Sequence, residues 1–262
     1  MCIVPFPVIS ISSTKLFVLP SVDRKRQMTF YKNDVDSKEE NLMILPFPGS
    51  QSLQLHKIKY KALFEDLKKS VFQPPSRSWG IYEVAACASL SRSFEALPVI
   101  SHGSYLVSIA QSLDDLKRVN PTVFDLPDDI LPFFAKHYTS EFGYLVCKLK
   151  EGKQIYEPLC YSHSLLSSGK LFVPTLHYHD HGQGAKTDEA DWDHVIYSLG
   201  TTKMANREYL SYKENKLLWN RFPEEYRLGK DSPVRCAEIY GNYPNKDVVF
   251  ELEVHGTQTL HA

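Results

Sequence analysis

The sequence predicts an α+β fold, a mainly antiparallel sheet with helices packed on one face. Three observations carry that expectation. Segments 171–179 and 191–199 alternate with period 2, the latter setting Trp192, His194 and Ile196 against Asp191, Asp193 and Val195, and 142–150 (FGYLVCKLK) is the plainest strand-like run. Residues 59–71, KYKALFEDLKKSV, instead place Tyr60, Leu63, Phe64, Leu67 and Val71 at helical spacing with charges between them. The 15 Tyr and 14 Phe, beside 16 Pro, favour a strand-containing chain over a helical bundle.

Taken in order, residues 8–19 (VISISSTKLFVL) read as a first strand. Residues 26–32 (RQMTFYK) are its partner across the charged turn Asp23-Arg24-Lys25. A polar, acidic link over 34–41 leads to Leu42-Met43-Ile44-Leu45, a short buried strand ended by PFPG. The amphipathic helix 59–71 follows. The loop 73–80 (QPPSRSWG) is the expected internal boundary of what is otherwise a single globular domain over 1–262. Residues 105–110 form a strand, and Asp114-Asp115 opens a short helix with Leu113, Leu116 and Val119. Residues 125–138 (DLPDDILPFFAKHY) form a helix that contains Pro132 or starts near it. Segments 142–150, 155–162, 171–179 and 191–199 are then successive strands of an antiparallel meander. A polar helix over 202–221 and a last strand over 247–254 complete the chain.

Composition excludes several classes. Hydrophobic residues at 43% and charged residues at 23% are near the globular average, which argues against wholesale disorder. The formal net charge of −1, from 30 basic and 31 acidic residues, makes no global case for nucleic acid or an anionic membrane. No apolar stretch approaches the ~20 residues of a membrane-spanning helix. The five cysteines, at 2, 87, 147, 160 and 236, are scattered and form no CxxC pair. Their odd number points to a reducing compartment, hence a cytoplasmic protein with free thiols. The apolar start, MCIVPFPVISISSTKLFVLP, lacks a basic leader region and is interrupted by Lys15, so it reads as a strand of the mature fold.

The chemistry concentrates in 171–199, LFVPTLHYHDHGQGAKTDEADWDHVIYSL, where four of the ten histidines fall within eighteen residues. If 171–179 and 191–199 pair as a hairpin with polar faces together, His179 lies opposite Asp193 and His181 opposite Asp191, about 5 Å apart. An H-x-H-x-H strand sets His177, His179 and His181 on one side, roughly 6–7 Å from one to the next. With Asp191 or Asp193 as a further ligand or as a partner that orients an imidazole, the set suits a divalent metal such as zinc. An open coordination position would make the site hydrolytic. The run resembles the HxHxDH of metallo-β-lactamase-like hydrolases but is one residue short and lacks their later ligand segments. The plainer alternative is a set of solvated His–Asp pairs, each worth about 0.2–1 kcal/mol and titrating near neutrality.

Two other function classes stand beside the metal site. Cys2, once Met1 is removed, would be an N-terminal nucleophile with its own α-amine as base, as in amidohydrolases of that type. A non-enzymatic binding or structural protein would use a protein partner, with aromatic loops such as 73–80 and 238–246 (EIYGNYPNK) as its surface. Cys160 and His163, three apart on a strand, point to opposite faces and do not form a catalytic pair. There is no G-x-S-x-G, P-loop or G-x-G-x-x-G motif.

Several short motifs occur in a familiar order. They are the early Cys2, Thr14-Lys15-Leu16-Phe17-Val18, Met43-Ile44-Leu45-Pro46-Phe47-Pro48 and Phe142-Gly143-Tyr144. Leu171-Phe172-Val173-Pro174-Thr175 follows with its His-x-His, then Asp193-His194 before Ile196-Tyr197. Over residues 2–199 the chain thereby resembles a family of uncharacterised microbial and viral proteins. The family has no established activity. The resemblance therefore implies the segmentation and the focus on the His-rich stretch, and it assigns no catalytic residue.

Overall fold

The computed structural model describes residues 3–57, 62–72, 96–179, 188–199, 202–204, 210–212, 222–228, 232 and 234–252. The first seven strands are β1 (Ile3–Val4), β2 (Ser10–Pro20), β3 (Arg26–Ser37), β4 (Asn41–Pro48), β5 (Gln54–Leu55), β6 (Ile100–His102) and β7 (Tyr105–Ala110). Five more are β8 (Phe142–Leu149), β9 (Gly152–Ile155), β10 (Leu159–Ser164), β11 (Lys170–Val173) and β12 (Tyr178–His179). The last five are β13 (Glu189–Leu199), β14 (Thr202–Met204), β15 (Leu210–Tyr212), β16 (Val234–Pro244) and β17 (Val248–Leu252). Among the described residues three α-helices, α1 (Leu63–Phe72), α2 (Leu113–Leu116) and α3 (Ile130–His137), punctuate them.

The strands form three sheets. A six-stranded sheet runs β12-β1-β4-β8-β7-β6, and a three-stranded one runs β11-β17-β14. The largest runs β15-β16-β13-β2-β3-β10-β5, with β9 also paired to β3. The two large sheets share one core. Leu16 and Val18 of β2 and Tyr31 of β3 meet Met43, Leu45 and Phe47 of β4 and Leu145 and Cys147 of β8.

The alternate residues of the same strands are buried as well. Phe17, Leu19, Met28 and Phe30 pack outward against Leu63, Phe64 and Leu67 of α1. Leu42, Ile44, Tyr144 and Val146 pack outward against Leu116 of α2 and Ile130 and Phe134 of α3. Central strands buried on both faces are apolar throughout, which explains runs such as LFVL and LMIL. Gly143 lies opposite Phe47, whose ring occupies the space a Cβ there would need.

The expected α+β arrangement is therefore overturned: the fold is mostly β, sheet against sheet. The helices, of 10, 4 and 8 residues, are split between two outer faces and build no layer of their own. The polar helix expected over 202–221 is replaced, where the structure describes it, by β14 and β15. The meander is corrected too, because its strands are dealt among different sheets: β8 to one, β10 and β13 to another, β11 to the third. The β2–β3 hairpin stands as read, closed at Arg24 (φ +56°) with the Asp23 carboxylate accepting from the Ser21 hydroxyl and the Lys25 N–H. The polar link after it is shorter than expected, since β3 continues to Ser37. The boundary loop 73–80 lies outside the described residues.

Buried polar side chains join these layers. The amide of Gln27 donates to the Phe172 carbonyl at 2.6 Å and accepts from the Phe172 N–H at 2.7 Å, in place of a neighbouring strand. Asn41 does the same for Phe6, at 2.9 and 3.3 Å. Replacing Gln27 by Leu leaves two buried backbone groups of Phe172 without partners, at about 1–3 kcal/mol each before relaxation. We expect Gln27→Leu to lose about 2–4 kcal/mol in urea unfolding, whereas Ile155→Ser, at a residue 75% exposed, stays within about 0.5 kcal/mol.

Candidate functional site

The segment between β11 and β12, residues 174–177, carries the chain from the three-stranded sheet to the six-stranded one. Pro174 ends the first strand because it brings no N–H to a ladder. The backbone beyond it is held by side chains of the turn between β16 and β17. The Asp247 carboxylate accepts from the N–H groups of Thr175 (2.7 Å) and Leu176 (2.9 Å) and from the Tyr138 hydroxyl (2.8 Å). The Asn245 amide accepts from the His177 N–H at 2.7 Å and donates to the His177 carbonyl at 2.9 Å. The Thr175 hydroxyl donates to the Lys246 carbonyl at 3.1 Å and accepts from the Val248 N–H at 2.9 Å.

This latch fixes the His177 ring, which is buried and stacked on His194 (centroids 5.1 Å apart, planes at 16°). Trp192 closes the group, its ring 5.2 Å from His177 and 4.8 Å from His194. Sequence alternation correctly set Trp192, His194 and Ile196 on one face of β13, and that face is the inner one. The hairpin register is not found. β13 pairs antiparallel with β16 and parallel with β2, so Asp191 lies opposite Asn242 and Asp193 opposite Tyr240. Asp191 is exposed, and Tyr178-His179 pair instead with Ile3-Val4. Among the described residues no three His, Cys, Asp or Glu side chains are grouped to hold a metal ion. The His179 side chain, His181 and Cys2 lie outside the described residues. Cys147, Cys160 and Cys236 are buried free thiols.

Asp193 faces a different feature. At the irregularity between Ser12 and Lys15 on β2, Ser13 takes φ +58°, which a side-chain-bearing residue adopts at a cost. The bulge brings Ser13 and Thr14 beside the Asp193 carboxylate, whose Oδ1 makes no hydrogen bond. Burial pushes the carboxyl above its ordinary range. Its Oδ1 is 3.7 Å from His194 Nδ1.

Sequence reading missed Asn245 and Asp247. Residues 238–244 had read as a loop but are strand β16, and only 245–247 turn. The Asn-Lys-Asp string after Pro244 was the available signal, since Asn and Asp side chains substitute for backbone acceptors at turns.

Burial pushes Asp247 up to about 6 against the pull of its three donors. The native protein thus binds this proton more tightly than the unfolded chain. The contribution of Asp247 makes stability rise as pH falls from about 6 to about 4, and it is flat above that window. In Asp247→Asn the amide oxygen can still accept both N–H groups while its NH2 donates to Tyr138. We expect that variant to fold and to lose this slope in urea midpoints measured across the window. Asp247→Ala strands all three donors and should cost about 3 kcal/mol or more.

No family model and no curated protein matches the chain. Among the solved structures that do match are two of a mutated baculovirus P35 after caspase cleavage. One, at 15% identity and TM-score 0.50, covers 94% of this chain and 99% of the other. The second, at 16% identity and TM-score 0.51, covers 93% and 100%. At this identity the likeness is one of fold, and it spans nearly the whole of both chains.

Proposed function

We propose that this chain is a non-enzymatic, protein-binding protein, and that its partner is a protease of the caspase class. One observation carries the reading: the whole-length fold likeness to baculovirus P35, a protein captured after caspase cleavage. The arrangement of the His-rich stretch supports a binding role over catalysis. His177, Trp192 and His194 pack as a buried aromatic group, which accounts for their clustering without a substrate. The buried thiols of Cys160 and Cys236 are pushed up by burial, away from the thiolate a nucleophile needs.

Incubation of the purified chain with a panel of active caspases tests the reading. At least one member is expected to cut the chain at a single place, to co-elute with it on gel filtration and to lose activity toward a peptide substrate in proportion to the chain added. A chain that no caspase cuts, and that leaves peptide hydrolysis unchanged at equimolar and tenfold excess, would end the proposal.

A further inference from the structure

Where the two large sheets open, the β6–β7 hairpin of one meets the β5 edge of the other around a half-open cavity of about 240 Å³. Its wall includes His56, Lys57, Ser101, His102, Ser104 and Glu157. Both imidazoles are buried, and the His102 ring bonds the His56 backbone, tying one sheet edge to the other. The hairpin tip is anchored through backbone of the opposite wall: the Glu157 N–H donates to Ser104 Oγ (3.3 Å), and the Tyr105 hydroxyl donates to the Glu157 carbonyl (3.4 Å).

Behind His56 stands a cation. Arg26 Nη2 donates to the Ser52 carbonyl at 2.8 Å and to Ser162 Oγ at 3.0 Å, and Ser162 Oγ is 2.8 Å from His56 Nε2. The Ser162 hydroxyl thus bridges the Arg26 guanidinium and the His56 ring. Burial and the charge of Arg26 push His56 down to about 4, so the ring is neutral at pH 7. The guanidinium is permanently charged and half-buried, yet among the described residues it meets no carboxylate, only neutral acceptors. Its Nε is buried without a hydrogen-bond partner. An unpaired charge in such a place is costly unless something of opposite sign balances it.

We propose that the cavity binds a small oxyanion, a carboxylate or phosphate group, which balances Arg26 across the Ser162–His56 relay. The anion meets the Lys57 ammonium at the mouth and the hydroxyls of Ser101 and Ser104 within. The Glu157 carboxylate, exposed on the rim, opposes the anion and favours one small enough to sit inward of it.

The test is a titration of the intact protein with inorganic phosphate and, separately, with acetate, at constant ionic strength. The ring signals of His56 and His102 are followed by NMR. We expect saturable shifts of both rings with at least one anion, and phosphate and acetate affinities rank which oxyanion the site prefers. Lys57→Gln, at an exposed residue that leaves the core untouched, should weaken binding about tenfold, the loss of one charge-assisted hydrogen bond. Lys117→Gln, just past the end of α2 and outside the cavity wall, should titrate as the unaltered protein does. Absence of saturation with either anion overturns the proposal. So does an unchanged affinity in Lys57→Gln, or an equal loss in Lys117→Gln, which would reduce the effect to general surface charge.

Discussion

A backbone that leaves one sheet for another must still satisfy its N–H and C=O groups, because inside the protein no water is at hand to do so. Much of this structure follows from how that demand is met. Gln27, Asn41 and Asn245 each offer one amide to both backbone groups of a single residue: Phe172, Phe6 and His177. A primary amide matches the donor and acceptor of a peptide unit, so each acts as one residue's worth of neighbouring strand. Where two consecutive N–H groups needed an acceptor, at Thr175 and Leu176, a carboxylate takes the place of the amide and brings the desolvation cost of a buried charge. The three-stranded sheet owes its attachment beside the larger ones partly to these bonds.

What was legible in the sequence follows from the same physics. Strand-like runs located β2, β3, β8 and β17, and period 2, which tells which residues share a face, set Trp192, His194 and Ile196 together. It does not tell which strand lies alongside. The partner of β13 was taken to be the nearest strand in sequence, whereas the ladder joins residues 189–199 to 234–244 and 194–198 to 14–18. Nor does alternation tell whether the second face meets solvent or a helix, and at β2, β3, β4 and β8 it meets a helix. Counting helical patterns therefore overstated their share of the architecture. Gln27, which ties β3 to Phe172 of the third sheet, reads as an ordinary strand residue, and Asn41 as part of the polar link 34–41, because a buried amide and an exposed one read alike.

The histidines show the limit most plainly. Their density suggested shared chemistry; of the four, the two whose side chains are described, His177 and His194, meet in the core. His177 and His194 stack with Trp192 in the buried interior, an arrangement worth on the order of 1 kcal/mol per ring pair beyond the area it buries. His56 and His102, forty-six residues apart and unremarkable in sequence, face each other across two sheet edges and line the cavity in front of Arg26. Ser162 links that cation to the sheet interior, and nothing in its local sequence, Cys-Tyr-Ser-His, distinguishes it from an ordinary strand residue.

The parallel pairing of β2 with β13 has a kinetic consequence. Residues 14–18 lie at the centre of the largest sheet, and one of their two neighbouring strands is contributed by residues 194–198. Between those positions the chain threads both other sheets. Antiparallel hairpins such as β2–β3 can close early and locally, but the central joint must await some 180 intervening residues and overcome their loop-closure entropy. During synthesis β2 would leave the ribosome long before its parallel neighbour, with one apolar edge uncovered. The bulge at Ser13, which twists and interrupts the edge, and Lys15 two residues on are the kind of features that keep such an edge from pairing with another molecule while it waits.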